Sequence, residues 1–573
     1  MQIDNFYFPF SYPGSYVKIN TRSMSHSGRL LISSVSKSGI VERHMEFWPF
    51  DFFEIALVKN EVETSYTFTA LPWRLDLITK GGESLSITFA DPDTFLFDLH
   101  GVELRLLPCH PFDWSHRINN TISIISDSTA WKQYIGFACD DARISILPSA
   151  LCGPQAAGGG LAMQFTGGDK IGAALRINAT GDPGDPPPSF EDTVKLRERE
   201  YRAWDALMPK VAMEYENAAR SAWYHLWSLQ VAPAGGITRR GILISKEWMN
   251  SIWSWNNCFN AIALATADPA LAFDQVLLMF DRQDKTGKLP DMINDAGAFY
   301  EFVKPPVYGW TIMKMIEKTG MDTCKPYFEQ LYPGLVRLSN WWYGTRDSDN
   351  DGMCEYWHGN DSGWDNSTIF DQGQPTEGAD LAAFLVLQSE ALALMASELG
   401  RCAESESWHK RARIQLETLL SHSVKNNRFF SPLSGTHETA PTMSLINCMP
   451  VVLGHRLPEP VRKTLTNDLS DGGPFLTVHG LATESPRSKK YISDGYWRGP
   501  IWAPSTFIAY DGLIDIGEKN LATEIARRFC NMCVRNPGMF ENYDALSGKG
   551  QFCPGDSWTS AVFIMLAHEL SKS

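Results

Sequence analysis

The sequence predicts a mainly α-helical protein in which a larger helical domain follows an antiparallel β-sandwich. The chain of 573 residues exceeds what one hydrophobic core usually supports, so at least two domains are expected. Short β-branched or alternating runs, broken by Gly, Pro, Asn and Asp, fill the chain up to about residue 180. Beyond residue 208, apolar residues recur instead at helical spacing.

Residues 1–180 form the predicted β-sandwich domain. Strand-like runs occur, for example, at 30–35, 52–58, 85–89 and 171–177. Short runs in which apolar and polar side chains alternate are typical of antiparallel strands that bury one face. We therefore expect antiparallel sheets packed face to face.

Residues 181–207 form the predicted linker. The stretch 181–188 reads Gly-Asp-Pro-Gly-Asp-Pro-Pro-Pro. Because proline fixes φ and supplies no backbone donor, neither a strand nor a helix should continue through it. The charged stretch that follows, 190–204, predicts a linker helix.

Residues 208–573 form the predicted helical domain. Asp268 followed by Pro269 is typical of a helix start, and Asp380 and Gly400 bracket an apolar stripe over residues 381–399. Long loops rich in Trp, Gly and Asp separate the helices, which is unusual unless loops carry function. Paired helices with such loops favour a closed helical toroid, although periodicity alone equally allows an open bundle or a solenoid.

Composition argues against several kinds of partner. The formal net charge is −15 and no Lys/Arg-rich run occurs, which disfavours nucleic acid and acidic membranes. The 11 cysteines are scattered and odd in number, which favours free thiols in a reducing compartment. The N-terminus shows no signal-peptide pattern. We therefore expect a cytoplasmic protein, and nothing in the pattern sets an oligomeric state.

Two carboxylates, Asp365 and Glu541, stand in aromatic settings that point to sugar chemistry. Asp365 lies in His-Gly-Asn-Asp-Ser-Gly-Trp-Asp-Asn-Ser (358–367), and Glu541 lies in Phe-Glu-Asn-Tyr-Asp (540–544). Hydrolysis of a glycosidic bond needs one carboxylic acid to protonate the leaving oxygen and a second carboxylate to activate water. The pair therefore predicts hydrolysis of a small carbohydrate substrate.

Six motifs in a fixed order resemble glycoside hydrolase family 63. They are Trp-Ser-Trp-Asn-Asn-Cys-Phe (253–259), Gly-Lys-Leu-Pro-Asp (287–291), Pro-Pro-Val-Tyr-Gly-Trp (305–310), the segment 361–367, Gly-Tyr-Trp-Arg-Gly-Pro-Ile-Trp (495–502) and Glu-Asn-Tyr (541–543). The resemblance covers about residues 205–573. It implies an (α/α)6-barrel domain, as in trehalases and glucoamylases. It also implies inverting hydrolysis of α-glucosidic or related α-linked bonds, as in mannosylglycerate and glucosylglycerate hydrolases.

By this resemblance, Asp365 is the expected general acid and Glu541 the expected general base. Asp365 follows a tryptophan and precedes the apolar pair Ile369-Phe370, so we expect its surroundings to be the drier of the two. Glu541 has polar sequence neighbours and is expected to stay ionised. An inverting enzyme holds its two carboxyl groups about 6.5–9.5 Å apart, whereas a retaining enzyme holds them about 5 Å apart.

A further group of residues are candidate substrate contacts. They are aromatic residues, hydrogen-bonding residues and one glycine that lie in the motifs around the two acids. The candidates are Trp255, Asn256, Trp310, His358, Asp361, Gly363, Trp364, Trp497, Arg498, Trp502 and Tyr543. Two of these depart from the family pattern, which usually has Asp in place of Asn256 and Glu in place of Asp361. The departures put the sugar preference in question and leave the reaction class unchanged.

An acidic turn predicts a calcium site. Carboxylates at alternate positions before a glycine, followed by a carbonyl and a further carboxylate, match part of an EF-hand-like loop. The candidate ligands are Asp347, Asp349, Asp351, Met353 and Glu355. His358 stands where such a loop has its bidentate Glu, and a solvated acidic turn is the alternative interpretation. A bound calcium would be structural, and no cofactor is expected for catalysis.

Two other functions stay open from the sequence. Sugar phosphorylases of the sandwich-plus-barrel type use one catalytic carboxylate and let phosphate attack, and Glu541 argues against that class. A catalytically inactive sugar-binding protein is supported only by the two departures from the family pattern. The aglycone is open as well, and Lys489, Lys490 or Arg498 are candidate partners for a glycerate carboxylate.

Overall fold

The computed structural model describes residues 1–572 except 22–27, 38–48, 111–113, 126–132, 140–141, 151, 153–158, 179 and 440. The chain forms two compact units. The first comprises Met1–Met208, Trp223–Ser251 and Asn294–Gly297, and the second comprises Pro209–Ala222, Ile252–Ile293 and Ala298–Ser573. The chain therefore passes between the units several times, in addition to the linker that the sequence predicts at residues 181–207.

The first unit contains two antiparallel sheets. Their strands are β1 (Val17–Asn20), β2 (Leu31–Ser34), β3 (Phe50–Lys59), β4 (Val62–Thr64), β5 (Tyr66–Leu71), β6 (Arg74–Thr79), β7 (Ser84–Asp91), β8 (Thr94–His100), β9 (Glu103–Pro108), β10 (Trp114–Ile118), β11 (Thr121–Ile125), β12 (Gln133–Cys139), β13 (Arg143–Ala150), β14 (Gly159–Thr166) and β15 (Lys170–Asn178). One sheet has the order β1-β2-β3-β9-β14-β13, with β4 paired to β3, and the other has the order β10-β11-β12-β15-β8-β7-β6-β5. All of these pairings are antiparallel.

Side chains from both sheets meet in a shared core. The rings of Phe52 on β3 and Tyr134 on β12 have centroids 4.8 Å apart. Gly136 on β12 leaves room for the facing sheet, because a Cβ there would lie 2.4 Å from Ile144 Cδ1 on β13. Such packing of two inner faces is that of a β-sandwich, and the predicted antiparallel sandwich is confirmed.

The proline-rich stretch 181–188 is fully described and contains neither helix nor strand. Helix α1 (Phe190–Asp205) begins directly after it. The Ser189 hydroxyl caps this helix by accepting a hydrogen bond from the Asp192 backbone N–H at 3.5 Å. The charged stretch after the prolines is therefore a helix, as its spacing predicts.

Helices dominate the rest of the chain. They are α2 (Glu216–Ser228), α3 (Asn256–Leu264), α4 (Pro269–Phe280), α5 (Tyr308–Thr319), α6 (Met321–Cys324), α7 (Phe328–Thr345), α8 (Ala379–Glu398), α9 (Cys402–His422), α10 (Glu459–Leu469), α11 (Ala503–Asp515), α12 (Lys519–Arg535) and α13 (Ser557–Leu570). Segments of 3-10 helix lie at Met213–Tyr215, Lys325–Tyr327, Gly359–Ser362, Thr368–Phe370 and Leu445–Arg456. Short strands are β16 (Gln230–Val231), β17 (Gly241–Ile242), β18 (Ile252–Trp253), β19 (Met292–Asn294), β20 (Gly297–Phe299), β21 (Val424–Lys425), β22 (Arg428–Phe429), β23 (Asn542–Tyr543) and β24 (Gly550–Gln551).

Six helical segments of the second unit close into a ring. α3 packs on α5, α5 on α8, α8 on the 3-10 segment Leu445–Arg456, that segment on α11, α11 on α13, and α13 on α3. The outer helices α4, α7, α9, α10 and α12 pack against members of this ring. The closed ring with its outer layer is the (α/α)6 barrel that the family resemblance implied.

Helix α8 shows how the ring buries its members. Of its 20 residues 16 are buried, whereas only four of the 21 residues of outer helix α9 are buried. α8 is long and apolar enough to cross a membrane by length and composition, yet 89% of its apolar window is buried inside the protein. The one-sided stripe predicted for residues 381–399 is therefore an incomplete description of an inner barrel helix.

The 3-10 segment Leu445–Arg456 completes the ring but has no helical signal in the sequence. Pro450 lies inside it, and Gly454 has φ +59° and ψ −130°. Regular α-helical bonding does not continue through either residue. A prediction from local helix propensity would therefore miss this member of the ring.

Candidate active site

The N-terminal ends of three inner helices meet in a cluster of tryptophans. Trp255 precedes α3, Trp502 precedes α11, and Trp558 is the second residue of α13. The Trp558 ring lies 5.6 Å from that of Trp255 and 5.4 Å from that of Trp502, edge to face in both cases. The candidate site therefore lies at this end of the barrel, where loops carry the predicted residues into the helices.

Glu541 is a buried carboxylate at this end, with 1% of its surface exposed. Its backbone N–H donates to the Cys553 carbonyl at 2.8 Å, and the Tyr496 hydroxyl donates to Glu541 Oε1 at 3.0 Å. Burial raises the pKa of Glu541 to about 7, the Tyr496 hydrogen bond opposes this rise, and the negative charge of Asp365 adds to it. Oε2 accepts no hydrogen bond from the described residues. One carboxylate oxygen is thus left to take a proton from a bound molecule.

Asp365 is partly exposed and follows a tight turn. The 3-10 segment Gly359–Ser362 ends at Gly363, which has φ +71°. A Cβ at this position would lie 2.8 Å from the Trp255 ring, so glycine allows both the left-handed backbone and the close packing. Because the charge of Asp365 contributes to the raised pKa of Glu541, the two predicted catalytic carboxylates share one electrostatic environment.

The surroundings of the two carboxylates are the reverse of the sequence expectation. Asp365 is partly exposed, whereas Glu541 is buried. The contacts of Glu541 come from Tyr496 and Cys553, which are not its polar sequence neighbours. The expectation that Asp365 occupies the drier setting and that Glu541 is readily ionised is therefore wrong.

The Asp361 carboxylate is saturated by donors from the protein. It accepts hydrogen bonds from the backbone N–H groups of Val303, Trp357 and His358 at 3.1, 3.0 and 3.1 Å. It also forms a 2.8 Å ion pair with Arg346, and the two side chains are 5% and 3% exposed. Asp361 therefore fixes the backbone before Asp365, and its predicted bond to a sugar hydroxyl is not supported.

Arg498 likewise bonds within the protein. Its Nε donates to the Asn366 carbonyl at 2.6 Å, and its guanidinium pairs with Asp371. Lys490 lies 2.8 Å from the same Asp371. These bonds tie the segment just after Asp365 to the loop that contains Tyr496. Arg498 therefore has a structural ion pair in this structure, and its contact with sugar or base stays a prediction.

The predicted stacking tryptophans pack largely on one another. Trp497 and Trp502 lie parallel with centroids 4.0 Å apart, and Trp364 lies 4.6 Å from Trp497. These three side chains are no more than 2% exposed. Trp310, 3% exposed, donates its indole N–H to Asp511 at 2.7 Å. These residues form a rigid support for the site, and the expectation that they present free faces to a sugar is not supported.

Three further predicted substrate contacts differ in the polar groups that they leave free to bind a ligand. The exposed His358 ring stacks on Phe302 at 4.7 Å. Tyr543 is buried, and its hydroxyl accepts from the Phe540 backbone N–H at 3.0 Å. Asn256 is 4% exposed, and its side-chain nitrogen has no acceptor among the described residues. Asn256 therefore offers a buried, unused amide nitrogen to a ligand, and His358 offers an exposed ring.

A buried ion pair that was not predicted lies beside Asp365. Lys304 Nζ is 3.0 Å from Asp291 Oδ1, and the two side chains are 7% and 10% exposed. Burial lowers the pKa of Lys304, while the charges of Asp291 and Asp365 outweigh this effect and raise it. Lys304 therefore supplies a fixed positive charge near the predicted acid. Asp291 lies in one of the motifs that resemble the family, and this position in the sequence could have identified it as a site residue.

Asp556 is a third carboxylate close to Glu541. It caps α13 by accepting a hydrogen bond from the Trp558 backbone N–H at 2.9 Å, and it is 3% exposed. Burial and the charge of Glu541 raise the pKa of Asp556 well above its usual range. Its signal in the sequence is only that of a helix cap, which does not distinguish it from other aspartates.

The acidic turn assembles only part of the predicted calcium set. Three carboxylates offer oxygens within 4.8 Å of one another, namely those of Asp347, Asp349 and Asp351. Glu355 points to different partners, since its Oε1 accepts hydrogen bonds from the Ser348 hydroxyl at 2.5 Å and from the Trp357 indole at 2.7 Å. Met353 donates its backbone N–H to Asp351 at 2.8 Å. The EF-hand-like arrangement that includes Glu355 is therefore not formed.

A family model for the mannosylglycerate hydrolase MGH1-like glycoside hydrolase domain matches residues 249–559. The matched stretch contains Asp365, Glu541 and the loops between the inner helices. The chain belongs to this family. It is a glycoside hydrolase of the family 63 type, as its motifs predicted.

Relatives of this family are distant in sequence. The chain is 21% identical over 393 residues to mannosylglycerate hydrolase MGH1 of Selaginella moellendorffii. This alignment covers 54% of this chain and 79% of that protein. It is 22% identical over 392 residues to a mannosylglycerate hydrolase of Thermus thermophilus, covering 54% of this chain and 93% of the relative.

Two solved structures show the same fold. A GH63 mannosylglycerate hydrolase of Thermus thermophilus in complex with glucose matches with a TM-score of 0.52 at 20% identity, over 60% of this chain and 99% of the other. A bacterial glucoamylase complexed with acarbose matches with a TM-score of 0.62 at 9% identity, over 99% of this chain and 94% of the other. The glucoamylase match covers nearly the whole chain and so includes the N-terminal sandwich.

Proposed function

We propose that this protein is an inverting hydrolase of a small α-linked glycoside, with Asp365 as general acid and Glu541 as general base. Asp365 gives its proton to the leaving oxygen as the glycosidic C–O bond breaks. Glu541 takes a proton from water, whose oxygen forms the new bond to the anomeric carbon from the opposite face. The observation that carries this proposal is the buried carboxylate of Glu541 inside the family domain, whose Oε2 accepts no hydrogen bond from the described residues and whose pKa the charge of Asp365 helps to raise.

The raised pKa of Glu541 suits a base that works near neutral pH. A general base is most effective when its pKa lies near the operating pH. With a pKa of about 7, Glu541 is ionised above neutrality and protonated below it. Hydrolysis should therefore fall as the pH drops through about 7.

We infer that the substrate is a glycosylglycerate or a related small glycoside. The similar proteins are named mannosylglycerate hydrolases, and one solved structure of that group holds Tris and D-glycerate. A glycerate carboxylate favours a cationic partner. Lys489 is exposed and forms no ion pair among the described residues, whereas Arg498 and Lys490 both pair with Asp371. Lys489 is therefore the preferred partner of the three.

The direct test is a screen of mannosylglycerate, glucosylglycerate, trehalose and maltose, with the product anomer followed by NMR. Early release of the β-anomer from an α-glycoside supports inversion, and early release of the α-anomer refutes it. Turnover that requires added phosphate would instead assign a phosphorylase. The substitution Lys489→Ala should raise KM for a glycosylglycerate and leave KM for a neutral disaccharide unchanged.

A further inference from the structure

Two histidines and two carboxylates converge around the ends of α8 and α9. Each offers one potential ligand atom, and the atoms lie within 4.8 Å of one another; the residues are Asp351, Glu377, His422 and His437. Asp351 lies in the turn after α7, Glu377 just before α8, His422 at the end of α9 and His437 in a later loop. Because the four are widely separated along the chain, no metal-binding spacing reveals them in the sequence.

The His422 ring faces two carboxylates with one nitrogen. Its Nε2 lies 3.0 Å from Asp351 Oδ2 and 3.1 Å from Glu377 Oε2. Its Nδ1 lies 3.1 Å from the Ser423 hydroxyl, which orients the ring. An imidazole nitrogen carries at most one hydrogen, so a proton on Nε2 serves one carboxylate and leaves the other unmatched. A cation between these three atoms would satisfy all of them.

Glu377 is the second observation that points to a cation. Its side chain is 0% exposed, and neither carboxylate oxygen accepts a hydrogen bond from the described residues. An ionised carboxylate removed from water is costly unless it is paired or coordinates a metal. His437 borders the same cluster, with Nε2 3.1 Å from Asp349 Oδ2 and 3.7 Å from Asp351 Oδ2. A second imidazole is therefore in reach of the same centre.

We propose that Asp351, Glu377, His422 and His437 bind one divalent transition-metal ion of the zinc class. Imidazole nitrogen together with carboxylate oxygen suits zinc and its first-row neighbours, whereas calcium takes oxygen ligands. Zinc–ligand bonds of about 2.0–2.2 Å place tetrahedral ligand atoms about 3.3–3.6 Å apart. Three of the six distances between the four ligand atoms are 3.0, 3.1 and 3.7 Å, close to this range, and all six lie within 4.8 Å.

The proposed metal has a structural role. It joins the turn after α7 to the start of α8 and the end of α9. The chain between the first two of these points, residues 352–376, contains the loop that carries Asp361 and Asp365. The metal therefore closes the base of this loop, and it takes no part in the hydrolytic step.

The test uses the full chain after treatment with EDTA. Isothermal titration calorimetry with Zn²⁺, Mn²⁺ and Ca²⁺ in separate runs should show one Zn²⁺ bound per chain, and bound Zn²⁺ should raise Tm. Loss of even an outer partner of a metal ligand costs about 10- to 100-fold in affinity, so His422→Gln and His437→Gln should weaken Zn²⁺ binding at least about 100-fold. His409→Gln, at an exposed histidine on the same α9, should bind Zn²⁺ like the wild type.

Folding of the variants is checked separately. The His437 side chain is 46% exposed, so His437→Gln should keep the wild-type Tm in EDTA and lose only the rise with Zn²⁺. Failure of the wild type to bind Zn²⁺ or Mn²⁺ stoichiometrically would overturn the proposal. So would binding that both histidine variants retain. Binding of Ca²⁺ alone, unaffected by either histidine substitution, would also overturn it and assign the cation to the three aspartates of the acidic turn.

Discussion

Asp365 and Glu541 share an electrostatic environment, yet the protein holds the two carboxylates in different ways. The loop of Asp365 is fixed on one side by the buried pair of Asp361 with Arg346 and on the other by the pair of Asp371 with Arg498. Asp365 itself is partly exposed, and no described residue forms a hydrogen bond or ion pair with its carboxylate. Its position is therefore set through the backbone, and its oxygens stay available to a ligand.

Glu541 is held by burial and by one strong donor. Only 1% of its surface is exposed, and the Tyr496 hydroxyl lies 3.0 Å from Oε1. Burial sets its protonation, because removal from water disfavours the charged form. Asp365 is therefore positioned by ion pairs of other residues in its loop. Glu541 differs, because its direct surroundings set its pKa.

The largest expected effect is the loss of kcat on substitution of either carboxylate, and it distinguishes the general acid from the general base. Glu541→Gln and Asp365→Asn should each lower kcat about 10²- to 10⁴-fold, the usual contribution of a general acid or base. An α-glycosyl fluoride needs no protonation of its leaving group, so Asp365→Asn should recover activity on it and Glu541→Gln should not. Steady-state kinetics on the natural glycoside and on the fluoride provide the measurement.

The control for this pair is Asp494→Asn, an exposed carboxylate on the Tyr496 loop that should leave kcat unchanged. Recovery on the fluoride by Glu541→Gln alone would exchange the assigned roles. Wild-type kcat in either variant would remove that residue from catalysis.

The next effect concerns the charges that fix the Asp365 loop. Asp361→Ala leaves Arg346 buried without its partner, and breaking such a pair costs about 3–5 kcal/mol. Asp371→Ala breaks a pair whose side chains are 25–27% exposed and should cost about 0–1 kcal/mol. Urea unfolding followed by fluorescence compares the two. Equal losses of stability would contradict the difference in burial that we assign to the two anchors.

The raised pKa of Glu541 predicts a pH-dependent stability difference. Its folded pKa of about 7 exceeds the value of about 4.3 usual for an unfolded chain, so the folded state holds the proton more tightly. This contribution is present at low pH and is lost as the pH rises through about 7. Glu541→Gln does not titrate, so its stability relative to wild type should improve by up to about 3 kcal/mol between pH 4.5 and 8.

Thermal unfolding of both proteins across this pH range measures the difference. Other buried carboxyl groups, such as Asp380, titrate in both proteins and largely cancel. A difference between wild type and Glu541→Gln that does not change with pH would show that folding does not raise the pKa of Glu541.

The sequence identified the candidate residues of this site better than it predicted the burial and the contacts of their side chains. Asp365 lies in a contiguous motif, so the sequence could single it out as a candidate acid. Glu541 is buried, bonds to Tyr496 and Cys553 and lies near Asp556, and periodicity does not reveal which distant residues surround a side chain. The misassignment of Asp361 has the same cause.

The fold shows the same limit. The sandwich and most helices follow from alternation and from helical spacing, which are local properties. The ring member Leu445–Arg456 does not, because Pro450 and the conformation of Gly454 remove its helical signal. Closure of the ring likewise depends on contacts between helices that no single segment encodes.

The smallest expected effect tests the side-chain donor that opposes burial at Glu541. Tyr496→Phe removes the hydrogen bond to Oε1 and so removes the larger of the two contributions that lower the pKa of Glu541. A hydrogen bond to a charged group contributes about 1.5–3 kcal/mol, which corresponds to a rise of about 1–2 pH units in the acidic limb of kcat. Tyr491→Phe is the matched control, since its buried hydroxyl has no hydrogen-bond partner among the described residues. If the limb stays in place in Tyr496→Phe while kcat falls at every pH, Tyr496 acts on the substrate or on the loop, and the pKa of Glu541 is set by burial, by the charge of Asp365 and by the Cys553 backbone.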